Sequence, residues 1–70
     1  MQRTLFTIVF TSSGWQLYEG DTGRFWFSRR DDAMETAGIM ASALHEHHGI
    51  PTGVVMDMAG REAVMVACHG

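Results

Sequence analysis

The sequence predicts a small α+β domain in which one helix packs on one face of an antiparallel sheet of about five strands, in the order β-β-β-α-β-β. Two observations support this fold class. Five short segments are rich in β-branched and aromatic residues or alternate apolar with polar residues, which is typical of strands. A longer segment between the third and the fourth has apolar residues at helical spacing. Because 70 residues form one domain at most, we expect residues 1–70 to be a single domain.

The first part of the chain predicts an antiparallel meander of three strands. These are residues 4–11, 15–19 and 24–27. In the first strand, alternation places Phe6 and Ile8 on one face of the sheet and Leu5 and Val9 on the other. Short Gly-containing turns separate the strands, and such turns favour antiparallel hairpins.

The central segment predicts a helix from about residue 29 to residue 48. Ser28 is the expected N-cap, with Asp31 three residues later in a variant of the capping box. Gly49 and Pro51 are expected to end the helix. One stripe of the helix is built largely from small side chains, which would let it lie close to a sheet. Its members are Ala33, Ala37, Met40, Ala41, Leu44 and His48.

Two further strands are predicted after the helix, at residues 54–58 and 62–67, joined by a short hairpin at residues 59–61. One helix can cover only one face of the resulting sheet. The other face should therefore be left without a cover. Its candidate partner-binding residues are Leu5, Val9, Tyr18, Trp26, Val55 and Val64.

This uncovered face predicts a protein-binding domain that is not an enzyme, and self-association as a homodimer is the first expectation. A domain this small is marginally stable alone and commonly needs a partner. Tyr18 and Trp26 are the expected anchors, because Trp and Tyr are enriched in interface hot spots. No catalytic or cofactor motif is present, so no cofactor is expected.

The charge and the composition exclude other classes of partner. The net charge is −3, with five Arg, no Lys and eight acidic residues, which argues against direct binding of nucleic acid. No segment approaches the ~20 apolar residues that a membrane span needs. The N-terminus does not have the pattern of a signal peptide, and Cys68 is the single cysteine. These features predict a cytoplasmic protein.

A histidine cluster gives the alternative hypothesis, a metal-binding or sensing protein. His45 and His48 are three residues apart on the predicted helix and are therefore neighbours on its surface. With Cys68 or His69 they could form a zinc or copper site. Histidines near a helix C-terminus also interact favourably with the helix dipole, and we prefer this structural interpretation.

A resemblance to known proteins rests on a Gly-Trp strand, a Glu-Gly turn, an Ala-rich helix and a final hairpin with a Gly turn. The segments that carry it are 14–20, 25–28, 32–41 and 54–61. In these features, which cover most of the chain, the sequence resembles a family of small bacterial β-β-β-α-β-β domains of unknown function. The resemblance implies a fold and no site. An uncharacterised, homodimeric bacterial domain is a further alternative for the function.

The length, the order of elements and the acidic charge also resemble those of some anti-CRISPR proteins of phages and other mobile elements. This resemblance implies an inhibitor that occupies the surface of a CRISPR effector complex. In that case the helix would contribute acidic residues around an exposed isoleucine, and Asp21 would add a further carboxylate. The helix residues are Asp31, Asp32, Glu35, Ile39 and Glu46.

Overall fold

The computed structural model describes residues 3–57 and 63–70 of the chain. It contains five strands and one helix in the predicted order, which confirms the α+β fold class. The elements are β1 (Thr4–Thr11), β2 (Gly14–Glu19), β3 (Thr22–Phe27), α1 (Arg30–His48), β4 (Thr52–Asp57) and β5 (Ala63–His69). The predicted hairpin at residues 59–61 lies outside the described residues, as do Met58 and Glu62.

The five strands form one sheet in the order β3-β2-β1-β4-β5. Most neighbours are antiparallel, as predicted, but β1 and β4 pair in parallel. The parallel pair follows from the position of the helix in the chain. Parallel neighbours begin at the same end of the sheet, so the chain between them must return to that end, and α1 provides this crossover. The first meander therefore forms one half of the sheet and the last two strands form the other half.

The ends of α1 differ from the prediction at one terminus and agree at the other. The N-cap is Arg29, in an extended conformation and without a side-chain capping bond, so the predicted capping role of Ser28 is wrong. Asp31 and Asp32 still place negative charge in the first turn, where it suits the helix dipole. At the other end, Gly49 adopts the left-handed conformation with φ of 67° and donates its N–H to the carbonyl of His45. Glycine takes this conformation without a steric penalty.

The core lies between α1 and one face of the sheet. Its buried side chains come from β1, β2, β4 and the small-residue stripe of the helix. They are Phe6, Ile8, Leu17, Ala33, Ala37, Ala41, Val54 and Met56. Buried Thr52 donates its hydroxyl to the carbonyl of Ala41 at 2.9 Å, and this bond ties β4 to the helix. The core thus orients the sheet so that its opposite face points away from α1.

Candidate protein-binding surface

The sheet face opposite α1, which we call the open face, can be described as three rows of side chains across the strands, beyond which Thr11 and Gly14 form a fourth, short row. The upper row, from β3 to β5, is Trp26, Gln16, Val9, Asp57 and Ala63. The middle row is Gly23, Tyr18, Thr7, Val55 and Met65. The lower row, from β1 to β5, is Leu5, Gly53 and Cys68. In the described part of the chain, the buried residues of α1 all belong to the core on the other face.

Two glycines flatten the part of the open face formed by β2 and β3, which carries Trp26 and Tyr18 and which we call the aromatic half. A Cβ atom at Gly14 would lie 2.3 Å from Cζ2 of Trp26, so the indole ring rests directly on the backbone of β2. Tyr18 lies over Gly23 in the same way, with Cε1 3.6 Å from the Cβ position. Trp26 is nevertheless 50% exposed. The two aromatic rings therefore present broad apolar surfaces at the level of the sheet.

The part of the open face formed by β1, β4 and β5, which we call the aliphatic half, is built over Gly53. Side chains of β1 and β5 meet above Gly53 of β4. Met65 Cε lies 3.1 Å and Leu5 Cδ2 lies 3.2 Å from the position that a Cβ atom would take there. Leu5 is 37% exposed and Met65 is 48% exposed. Val55 beside them is only 8% exposed. The centre of this half is thus covered by its own neighbours, and its rim is accessible.

Arg3 borders the aliphatic half and is fixed by backbone carbonyls. Its Cδ lies 3.3 Å from the Cβ position of Gly53. Its guanidinium donates to the carbonyls of Thr52 at 2.6 Å, His69 at 3.3 Å and Gly70 at 3.3 Å. These bonds hold an exposed positive charge at the lower end of β4 and β5. The sequence alone gave no signal for this role, because the carbonyl partners are more than 45 residues away along the chain.

Five of the six residues predicted for the uncovered face lie on the open face, and Val64 does not. Between β4 and β5 the register shifts at Val54 and Val55, so Val55 pairs with Met65 and Met56 pairs with Val64. Met56 belongs to the core on the helix side. The shift is an irregularity of the β-bulge kind, which reverses the alternation of side chains along β5. Met65 therefore takes the place that strict alternation gave to Val64.

The acidic residues predicted for a second partner lie on the outer surface of α1. Asp31, Asp32, Glu35 and Glu46 are all exposed. Ile39 among them is 63% exposed, which agrees with its predicted projection from the polar side. Asp31 is 3.9 Å from Arg29, a weak and largely solvated ion pair. Asp21 is exposed in the turn between β2 and β3, away from this helix surface.

The four candidate metal ligands are divided between the two faces of the sheet. His45 and His69 approach each other, with ring centroids 6.3 Å apart. Cys68 instead pairs with Gly53 on the open face, and His48 is exposed at the end of α1. Across residues 3–57 and 63–70, no group of three or more His, Cys, Asp or Glu side chains is placed to hold a metal ion. The metal-site hypothesis therefore gains no supporting geometry.

A shallow cleft lies on the helix side of the sheet and was not predicted from the sequence. It has a volume of about 330 Å³ and opens between the last turns of α1 and the start of the β1–β2 pair. Its walls are mainly apolar, with Glu19 and two histidines at the rim. The lining residues are Phe6, Glu19, Met40, Ala43, Leu44, His47 and His48. Glu19 accepts a hydrogen bond from Arg24 at 2.8 Å, so its carboxylate already has a cationic partner.

Comparisons of the chain with protein-family models, curated proteins and solved structures find no match. The two resemblances described from the sequence therefore stay predictions. Among the residues that the structure describes, no helix combines the length and the apolar character needed to cross a membrane.

Proposed function

We propose that this chain is a small, non-enzymatic protein-binding domain that acts through the open face, and that its first partner is a second copy of the same chain. The observation that carries the proposal is the set of large apolar side chains along the rim of this face. Trp26, Leu5 and Met65 come from different strands, and each leaves a third to a half of its surface accessible. Leu5 and Met65 meet over Gly53, and Trp26 lies on the edge strand β3 of the same face. Exposed apolar surface gathered on one face marks interaction sites.

The area of the open face supports a sheet-on-sheet dimer. Five strands spaced by about 4.8 Å and roughly six residues long give a projected area of about 480 Å². Accessible area exceeds projected area, because side chains roughen the surface. A specific interface needs about 600 Å² per partner at the lower end of its size range. The open face reaches this range only if nearly all of it is used, which favours a flat partner with the same outline.

The energetics favour a dimer of moderate affinity. Burying one large apolar side chain contributes about 1.5–3 kcal/mol. Trp26, Leu5 and Met65 are already partly buried, so each gains only a fraction of that amount. Association also costs at least about 4 kcal/mol in lost translational and rotational freedom. We therefore expect a dissociation constant in the micromolar range, about −8 kcal/mol or weaker.

The placement of the arginines supports a protein partner over nucleic acid. Arg3 is bound to backbone carbonyls, and Arg24 is paired with Glu19 and stacked near the ring of Phe25. Arg29 lies near Asp31. These side chains do not form a basic stripe of the kind that follows a phosphate backbone. The exposed free thiol of Cys68 is compatible with a reducing compartment, and we propose a cytoplasmic location.

A second candidate function uses the outer surface of α1, where the exposed Ile39 lies between Glu35 and Glu46. An acidic surface with an apolar centre is complementary to a basic protein groove. In the inhibitor hypothesis, that groove belongs to a CRISPR effector. A DNA-cleavage assay with a purified effector tests this function: wild type should inhibit, and Ile39→Glu should inhibit less. If the wild-type protein does not inhibit cleavage, the inhibitor function is contradicted for the effector that was assayed.

Sedimentation analysis tests the principal proposal. Wild-type protein should change from monomer to dimer between about 1 µM and about 1 mM, the range that corresponds to binding free energies of about −8 to −4 kcal/mol. Trp26→Ser should remain monomeric over most of that range. Ile39→Ser is the control, since it removes an apolar side chain that is even more exposed than Trp26 from the helix surface, and it should dimerise like wild type. A folded wild-type monomer at the highest concentration would overturn the proposal.

A further inference from the structure

We infer that β5 is a second contact surface of this protein, and that it pairs edge to edge with β5 of another copy, so that the sheet continues from one copy into the next. This contact is separate from the proposed open-face dimer, because it uses the edge of the sheet and not its face. It assigns a role to exposed apolar side chains of β5 that a partner on the open face would cover only in part.

The strand β5 forms one edge of the sheet. It is the last strand in the order and pairs with β4 on its inner side. Within residues 3–57 and 63–70, no other strand lies along its outer side. An edge strand presents a row of backbone N–H and C=O groups that are complementary to those of another strand. The chemistry of this edge therefore favours an extended segment of polypeptide as its partner.

The side chains of β5 are exposed on both faces of the sheet. Met65 pairs with Val55 on the open face and is 48% exposed. Val64 pairs with Met56 on the helix side and is 45% exposed, and Val66 is 44% exposed. Among the described residues, the core beneath α1 includes none from β5. A partner stacked on the open face can cover Met65 but not Val64, whereas a strand added beside β5 places side chains next to both.

The other edge of the sheet, β3, carries a charge that β5 lacks. Each edge strand has one extra residue at a register shift, which is Arg24 on β3 and Val66 on β5. Arg24 pairs with Glu19, and its guanidinium lies 5.7 Å from the centre of the Phe25 ring. Bulges and charged side chains on edge strands hinder pairing with other chains. On β5 the bulge stands alone, because residues 63–69 contain no Lys, Arg, Asp, Glu, Pro or Gly.

A second copy of β5 has the chemistry that this edge requires. It is itself an extended segment without acidic or basic side chains other than His69, and it is apolar on both faces. Two identical strands pair antiparallel when a two-fold axis perpendicular to the sheet relates them, and such a contact is closed. Apolar side chains of one copy then lie beside those of the other. The same axis leaves both open faces on one side of the continued sheet, so the edge contact does not block the open face.

The edge contact should be weaker than the open-face contact. The register shift at Val66 divides β5 into two short segments, and Arg3 already donates to the carbonyl of His69 at the end of the second segment. A strand added beside β5 therefore pairs mainly with the first segment. Because pairing of two short strands is marginal in water, we expect edge pairing only near about 1 mM, the upper end of the range given for the open face. Open-face dimers form first, and edge pairing then joins them.

Sedimentation near about 1 mM, where contacts of this strength are populated, tests the edge contact. Wild-type protein should form species larger than a dimer. Val64→Lys places a charge on the edge strand at the helix side, so it should abolish these species and leave the monomer–dimer step unchanged. Thr22→Lys is the matched control, because it places the same charge on the other edge strand at an exposed position, and it should behave like wild type. Circular dichroism checks that each variant is folded, and Val66→Lys provides a second edge variant.

The outcomes for the edge and for the open face are distinguishable. Trp26→Ser should lose the open-face dimer and still associate through β5 near about 1 mM, with slower amide hydrogen exchange at residues 64–66 than in dilute solution. Adding Val64→Lys to this variant should remove both effects. Wild-type protein that forms nothing larger than a dimer would overturn the edge contact and leave the open-face dimer standing. Larger species that persist in folded Val64→Lys and Val66→Lys would also overturn it.

Discussion

The two faces of the sheet differ both in the amount of apolar side chain that they carry and in what covers it. On the helix side, Ile8 and Leu17 are completely buried beneath the alanine stripe of α1. On the open face, Val55 is buried by its neighbours within the sheet, while Leu5 and Trp26 remain accessible. In this sheet, the middle of the open face is covered by its own side chains, and its rim is not. A partner that binds the open face would therefore bury most of its additional apolar area at the rim.

The largest expected difference between the faces comes from truncating a leucine on each. Leu17→Ala should cost about 2–5 kcal/mol, because it leaves a cavity in the core. That loss is comparable to the whole stability of about 3–5 kcal/mol expected for a domain of this size. Leu5→Ala on the open face should cost less than about 1 kcal/mol in the monomer, since a partly exposed leucine loses only part of its transfer free energy.

Urea unfolding at low concentration, followed by circular dichroism, measures both values. The strength of the comparison lies in using the same substitution on opposite faces of one sheet. Equal losses of stability would mean that the two faces do not differ in the way described.

A smaller effect is expected where the open face approaches the backbone most closely. Gly14→Ala would place a methyl group 2.3 Å from the indole of Trp26 and 2.5 Å from the carbonyl oxygen of Phe27. Overpacking of this kind costs about 1–3 kcal/mol. Gly38→Ala is the control, because a Cβ atom there meets nothing within 4 Å. It should stabilise the helix by about 0.5–1 kcal/mol, since alanine is the better helix former.

Thermal unfolding of the two glycine variants gives opposite shifts of Tm if this account is correct. Combining Gly14→Ala with Trp26→Ala should recover only part of the loss, because the carbonyl of Phe27 belongs to the backbone and remains in place. Full recovery would show that the indole alone causes the crowding.

A smaller loss of stability again is expected when one hydroxyl is removed from each face. Thr52→Val deletes the buried donor to the carbonyl of Ala41 and should cost about 1–2 kcal/mol. Thr7→Val makes the same change at the centre of the open face, where the side chain is only partly buried. We expect it to change the unfolding free energy of the monomer by less than about 0.5 kcal/mol. A larger loss for Thr7→Val than for Thr52→Val would contradict the assignment of the two faces.

The smallest effect is expected at the surface ion pair between Glu19 and Arg24. Their side chains are 34% and 44% exposed and lie 2.8 Å apart. Such pairs contribute about 0.2–1 kcal/mol, and salt screens them. Glu19→Gln should therefore lower stability slightly at low salt and have almost no effect at high salt. A loss that is independent of salt would indicate that Glu19 stabilises the cleft beside it by packing.

Most of the fold could be predicted from local pattern, and the exceptions have identifiable physical causes. Alternation along residues 4–11 gave the correct face for Phe6, Ile8, Leu5 and Val9. The same rule misplaced Val64, since the register shift beside Val54 and Val55 reverses the alternation and has no marker in the sequence. A bulge depends on how two strands meet, which is decided by tertiary structure.

Two further features could not be predicted for the same reason. The parallel pairing of β1 with β4 depends on which edge of the meander the returning chain joins, and residue patterns do not specify that edge. The N-cap at Arg29 lacks the side-chain bond that makes capping positions recognisable from sequence. For the binding surface, the apolar residues were identifiable in advance, whereas the fixed position of Arg3 required the three-dimensional contacts.

The most direct test of the central claim is the response of amide and side-chain NMR signals to dilution. If the open face is the dimer interface, signals of Tyr18, Val55, Met65 and the indole N–H of Trp26 should shift as the concentration falls through the dissociation constant. Signals of Glu35 and Ile39 on the outer surface of α1 should remain constant and serve as the internal reference. Shifts confined to α1 would contradict the account. An absence of any change up to about 1 mM would also contradict it, because a dissociation constant of that size corresponds to a binding free energy of only about −4 kcal/mol.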